Sequence, residues 1–272
     1  MELTDEARCM NEIAAFVGPR DVAALDRVSL AAAGLADGMA DVAVLFGGSI
    51  VAGGDVFAEA MRARIARRYV IAGGAGHTTP ALREAMRRLH PKVAFTDDAS
   101  EAEVFDAYLR TRCGLSADLL ECASANCGNN VTNLLALLDA RGVARRSMVV
   151  VQDASMQRRM EAGLRLHAPG TRIVNYAAYR VSVRVAGEAG SKHLAYDQVP
   201  AGMWDVERYR SLLMGEVPRL VDGEGGYGPR GAGYIAHVDV PASVADAFER
   251  LRAAHPESVR VANPAFAGTG RR

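Results

Sequence analysis

Gly73-Gly74-Ala75-Gly76-His77-Thr78 is the stretch of this sequence best suited to chemistry. It follows the apolar run Tyr69-Val70-Ile71-Ala72, which reads as a buried strand. It precedes Thr79-Pro80, where the proline suits the first turn of a helix. A strand, a glycine turn and a helix N-terminus make an anion cradle. Glycines let a ligand approach the backbone, and the first amides of a helix carry partial positive charge. His77 and Thr78 sit inside the cradle and add side-chain hydrogen bonds. Without a ligand the same pattern is only a tight strand-to-helix turn. Gly47-Gly48-Ser49 ends an earlier apolar run, 41–46, and is expected to form the second half of the cradle. Taken alone it is equally a simple chain reversal.

Further polar residues fall at comparable places. Asn126, Asn129 and Asn130 cluster at a helix start. Asn126 is either the N-cap of that helix or, with Asn130, a reader of a ligand's polar edge. Cys127 lies in the first helical turn, where the dipole lowers a thiol pKa; with no histidine tied to it, a structural cysteine is favoured. Gln152 and Asp153 end the run 147–151. Asp153 either caps the following helix or binds a ligand hydroxyl or amine. One of Arg158 and Arg159 would meet a carboxylate or phosphate, the other being solvated. Arg158 is the one assigned to the ligand. Glu101 is a base or an amine partner, although acidic residues are common in first turns. The catalytic candidates are therefore His77, Glu101 and Asp153, and no metal is expected. Tyr227, Pro229 and Arg230 are read as a lid or as an exposed loop.

Several classes are disfavoured. Gly74-x-Gly76-x-x-Thr79 lacks the third glycine of a dinucleotide fingerprint, and no acidic residue ends the second strand. The phosphate-loop pattern Gly-x-x-x-x-Gly-Lys-Ser/Thr does not occur. Basic and acidic residues balance, 32 against 32, so nothing steers the chain to nucleic acid or an acidic membrane. The first residues lack a signal-peptide profile, and no apolar run approaches a membrane span; a cytoplasmic protein is expected. The 4 cysteines contain no Cys-x-x-Cys pair.

The elements that must position these residues alternate along the chain. Residues 4–16 and 20–35 read as amphipathic helices. Buried strands are expected at 41–46, 69–72, 92–96, 119–122, 147–151 and 171–176, with helices at 55–67, 81–89, 101–113, 127–141 and 154–167. Such alternation predicts an α/β fold, a parallel sheet covered by helices on both faces, with ligands bound beyond the carboxyl ends of the strands. Residues 180–200 read as an irregular insertion. Helices at 204–220 and 242–253 and a strand at 234–240 follow. Tyr209, Leu212, Leu213 and Val217 are the expected core contacts of the first helix. The domain reading is a ligand-binding domain over 38–178, a smaller, mostly helical lobe from 1–37 with 179–258, and a disordered tail at 259–272.

Taken together, Gly-Gly-Ala-Gly-His-Thr (73–78), Ser-Ala-Asn-Cys-Gly-Asn-Asn (124–130), Val-Val-Gln-Asp-Ala-Ser-Met-Gln-Arg-Arg (150–159), Val-Glu-Arg-Tyr (206–209) and Gly-Tyr-Gly-Pro-Arg-Gly (226–231) resemble the bacterial YdcF family. Its wider superfamily includes the SanA and ElyC envelope-associated proteins. The resemblance implies a Rossmann-like α/β domain with a smaller helical lobe, and S-adenosylmethionine as ligand. Gly47, Gly48, Ser49, Gly73, Gly74, Gly76, His77 and Thr78 would then hold its polar groups, with Asn126, Asn130, Gln152, Asp153 and Arg158. Asn129 departs from the Glu usual there, which favours binding over catalysis. The expected function is a transferase acting on a small metabolite. A hydrolase or transferase of a phosphorylated substrate, with His77 and Arg158 on the phosphate, is the alternative, and a non-catalytic metabolite sensor is the third. A homodimer is compatible with all three.

Overall fold

The computed structural model describes residues 1–188 and 190–258. The expected tail, 259–272, lies outside the described residues. Five parallel strands form the main sheet: β1 (Ala40–Phe46), β2 (Ala66–Ala72), β3 (Leu119–Glu121), β4 (Ser147–Gln152) and β5 (Arg172–Ala177). Their order is β3-β2-β1-β4-β5. The chain builds outward from β1 to β3, then returns to lay β4 on the other side of β1. In open α/β sheets such a reversal is where ligands bind, beyond the carboxyl ends of the strands, here β1 and β4. Every residue of β1 is buried, as its central position demands.

The period-two pleat divides the strand side chains between two cores. Val42, Val44, Phe46, Val70 and Val150 pack on α6 (Cys127–Ala140) and α7 (Gln157–His167) through Leu134, Leu138, Met160 and Leu164. Ala43, Leu45, Ile71, Val149 and Val151 face α3 (Ala52–Arg62), α4 (Thr79–Leu89) and α5 (Glu101–Tyr108), where Phe57, Leu82, Met86 and Phe105 are buried. Burying each large apolar side chain contributes roughly 1.5–3 kcal/mol. The fold is α/β with a Rossmann-like sheet.

Local signals set the helix starts at the carboxyl edge. Ser100 and Glu103 form a reciprocal capping box before α5. Asn126 caps α6 by accepting the Asn129 amide at 2.9 Å. Asp205 likewise caps α8 (Val206–Leu220) through the Arg208 amide at 2.7 Å. Helix α8 packs with α1 (Leu3–Val17) and α9 (Ala242–Ala254); its Tyr209, Leu212, Leu213 and Val217 are all buried. Helix α9 leans on α1 through Ser243–Glu12 and Arg250–Asp5.

Five segments differ from the sequence reading: first, the helix expected over 55–67 ends at Arg62, and residues 66 and 67 already belong to β2. Residues 20–35 are helical only as α2 (Arg27–Ala32) and a following short turn. Residues 19–21 instead run along the edge of β5, where the Asp21 amide and carboxylate bind Asn175 and the Ala177 amide donates to Pro19. That pairing covers an otherwise open sheet edge. Residues 92–96 are no strand: Val93 is buried, and Phe95 lies under the Arg87 guanidinium. The edge beside β2 is taken by β3 instead. Residues 180–200 contain an antiparallel hairpin, β6 (Val183–Ala186) and β7 (His193–Tyr196), seated on α1 where the Asn11 amide bonds both the N–H and C=O of Val183. Residues 234–240 form no strand; the amides of Tyr234 and Ile235 go to Tyr227 and that of Ala236 to Ala162 of α7. Among the described residues, no helix is long and apolar enough to cross a membrane.

Candidate functional site

Parallel topology delivers the exits of all five strands to one edge, and there the two glycine turns touch. A Cβ on Gly47 would lie 3.0 Å from the Gly73 Cα and 2.3 Å from Glu101 Oε2. Only glycine allows this approach. A Cβ on Gly74 would sit 1.9 Å from the Ser124 carbonyl oxygen, so the β2 turn is equally pressed against the exit of β3. A Cβ on Gly48 would lie 3.2 Å from Gln152 Oε1 and 3.5 Å from Asp153 Cβ, at the exit of β4.

The 73–76 turn is not an open anion cradle, because its amides are already committed. Gly73 donates to the Glu121 carbonyl at 2.9 Å and Ala75 to the Ser124 carbonyl at 3.0 Å. Gly74 donates to Ser124 Oγ at 2.8 Å, and Gly76 to Thr79 Oγ1 at 2.7 Å. Asn130, assigned to a ligand by the sequence reading, holds this arrangement by accepting the Ser124 hydroxyl at 2.5 Å. Gln152 is likewise committed: its amide donates to the Gly47 carbonyl at 3.2 Å and its Oε1 accepts the Asp153 amide at 2.6 Å.

The Gly47–Ser49 turn is different. Gly47 donates to the Ala72 carbonyl at 2.7 Å, but among the described residues no protein acceptor meets the amides of Gly48, Ser49 and Ile50. These donors precede α3, whose own first amides at Ala52, Gly53 and Gly54 are taken by the Ala201, Ile50 and Val51 carbonyls. Both flanks of the turn are acidic. Glu101, 7% exposed, presents Oε2 to Gly47, while its Oε1 accepts the Thr79 hydroxyl at 2.8 Å and the Thr78 hydroxyl at 3.5 Å. Asp153, 6% exposed, lies beside Gly48. Burial pushes the Glu101 carboxyl above its ordinary pKa, against the two threonine hydrogen bonds and with a contribution from the Asp153 charge. Burial also raises Asp153, opposed by hydrogen bonds from Tyr179 and Ser155.

The remaining candidates are distributed around this centre. His77 is exposed on the loop just before α4, and Thr78 half-buried at its N-cap. Asn126 is half-buried at the start of α6. Cys127 Sγ lies 3.9 Å from Met156 Sδ. The ligand role expected of Arg158 meets a competing commitment. Its Nε donates to the Phe16 carbonyl at 3.0 Å, its guanidinium stacks over the Phe16 ring, and Glu161 lies 3.5 Å away. Arg159 is not solvated either: it is half-buried, in a bidentate pair with the buried Glu216 at 2.6 and 2.9 Å. The 222–233 loop is held by Asp222, which accepts the Arg230 amide and meets the Arg230 guanidinium at 3.3 Å.

Sequence reasoning missed Thr79, Ser124, Ser155 and Tyr179. The rule that polar residues just past a strand matter would have found Tyr179, two residues beyond β5. Among the described residues, no group of three or more His, Cys, Asp or Glu is placed to hold a metal ion. An open groove of about 550 Å³ lies elsewhere, between α1 and β6; its Asn11 is already bonded to Val183. No family model matches the chain.

Proposed function

We propose that this chain binds S-adenosylmethionine at the carboxyl edge of its sheet and acts as a transferase on a small metabolite, as its resemblance to the YdcF family implies. What supports this is one arrangement: amides at Gly48 and Ser49 that meet no acceptor among the described residues, set between two buried carboxylates, Glu101 and Asp153. An amino-acid head carries both charges: its carboxylate suits the amides of the turn and its ammonium the acids that flank them. The residues present fit the amino-acid head of this ligand. The Gly48 and Ser49 amides take its carboxylate, the role the sequence reading gave to Arg158. Glu101 and Asp153 accept from its ammonium and ribose hydroxyls. A cation beside two acids raised by burial also favours their charged forms.

When bound, S-adenosylmethionine supplies a sulfonium and thus an activated leaving group. The chain contributes orientation, since its acceptors are held at the end of β4 and the start of α5, and a negative field matched to a positive ligand. The same field opposes a phosphorylated substrate: two acids flank the turn, and Arg158 and Arg159 are both engaged by carboxylates. A non-catalytic sensor is the second proposal, favoured by Asn129 where the family carries Glu. A cytoplasmic location belongs to the same proposal. The test is mass spectrometry of small molecules released from the purified, denatured protein. S-adenosylmethionine or its demethylated product is expected; a phosphorylated metabolite in their place overturns the assignment.

A further inference from the structure

The two oxygens of Asp153 do different things. Oδ1 accepts three hydrogen bonds: from the Ser155 amide at 3.2 Å, the Ser155 hydroxyl at 3.0 Å and the Tyr179 phenol at 2.5 Å. Oδ2 is turned toward the glycine turn, 3.9 Å from where a Cβ on Gly48 would stand. Tyr179 is itself only 3% exposed. Its ring packs 6.4 Å, centroid to centroid, from Tyr209 of α8, and Tyr209 meets Tyr196 of β7 at 5.8 Å. The phenol is thus fixed from behind by the smaller lobe. A carboxylate pinned through one oxygen from two chain segments loses its rotation about χ2.

We infer that Tyr179 is the positioning residue of this site: it clamps Asp153 through Oδ1 so that only Oδ2 is offered to the cationic end of a ligand at the Gly47–Ser49 turn. In its choice of ligand the clamp rests on the zwitterion proposed above; the clamp itself does not.

The charged surroundings of Asp153 fix the direction of the effect. Glu101 faces it across the Gly47 turn, and Glu216 of α8 adds negative charge from the other side, partly balanced by Arg159. Tyr209 is the remaining titratable neighbour. Burial, the largest influence, and Glu216 both favour the protonated acid, whereas the Tyr179 and Ser155 donors favour the carboxylate. Removing the phenol hydroxyl leaves the first influences less opposed, so Asp153 takes up its proton at higher pH.

The experiment compares wild type with Tyr179→Phe. Carboxyl-carbon NMR of the ligand-free protein, with Asp153→Asn to assign the resonance, is expected to show the Asp153 midpoint rising by roughly one pH unit. The pH at which S-adenosylmethionine binding reaches half its maximum should rise with it, read by calorimetry. A merely structural tyrosine would lower the melting temperature and leave both midpoints in place, and that result overturns the inference. Should Tyr179→Phe fail to fold, Ser155→Ala removes another donor from the same oxygen; it must move the midpoint the same way, and an unmoved midpoint is equally fatal. If wild type does not bind S-adenosylmethionine but the ligand-free midpoint moves, the clamp stands and the ligand assignment falls. If wild type binds and the variant midpoint is unmoved, the clamp alone falls.

Discussion

Gly74→Ala, set against Gly76→Ala, asks whether the rim is assembled as described. The two glycines are neighbours in one turn, yet their surroundings differ. At Gly74 a methyl group would fall 1.9 Å from the Ser124 carbonyl oxygen and 2.6 Å from its amide nitrogen. The three nearest atoms are all Ser124 backbone, so no side chain can yield. The turn must move, breaking the Gly74–Ser124 hydrogen bond at 2.8 Å and the Ala75–Ser124 bond at 3.0 Å. Overpacking costs about 1–3 kcal/mol and each lost bond about 1 kcal/mol, which together give about 4 kcal/mol. In a domain this size a loss of that order lowers the melting temperature by roughly 8–16 °C. At Gly76 the nearest contact would be the Ala125 carbonyl at 3.5 Å, an ordinary approach. That variant should stay within about 0.5 kcal/mol of wild type, as surface substitutions do. Thermal and urea unfolding of the three proteins measure both values. Equal stabilities for the two variants would mean that the β2 turn does not abut the exit of β3, and the site as built here would be wrong.

Three further outcomes are expected. Glu101 has a folded pKa above its unfolded value, so its favourable contribution is full below the unfolded pKa and is lost as pH rises through the folded one. Glu101→Gln keeps an acceptor for Thr79 and carries no charge; its stability relative to wild type should grow from acid toward neutral pH, and a pH-independent difference in urea midpoints contradicts this. Glu216→Ala leaves the half-buried Arg159 without its bidentate partner and should cost about 3–5 kcal/mol, whereas replacing both residues by apolar ones recovers most of the loss; a single variant losing under about 1 kcal/mol argues against the pairing. Asn130→Ala releases the Ser124 hydroxyl and should destabilise by about 1–2 kcal/mol, read from urea unfolding; no change would remove it as a support of the rim.

Residues of strong and local pattern were legible. The runs at β1, β2 and β4 are apolar and end abruptly in glycine or in Gln152-Asp153, so strand, exit and edge could all be read. Ser100 and Asn126 were legible as caps because capping is a contact over three residues. What was not legible depends on partners far along the chain. Arg158 looks like an anion ligand until the Phe16 carbonyl, 142 residues away, engages it. The helical period of residues 20–26 loses to pairing with the edge of β5, which no local pattern announces. Gly73–Gly76 has the composition of an anion cradle, yet Glu121, Ser124 and Thr79 take its amides. The open amides lie instead at the turn that looked weaker.

Calorimetric titration of the purified protein with S-adenosylmethionine at neutral pH tests the central claim most directly. Heat of binding is predicted for wild type, with its loss in an Asp153→Asn variant that still unfolds cooperatively. No heat with S-adenosylmethionine, together with saturable heat from a nucleotide or sugar phosphate, would contradict the claim that buried acids and bare amides at the Gly47–Ser49 turn select a zwitterion.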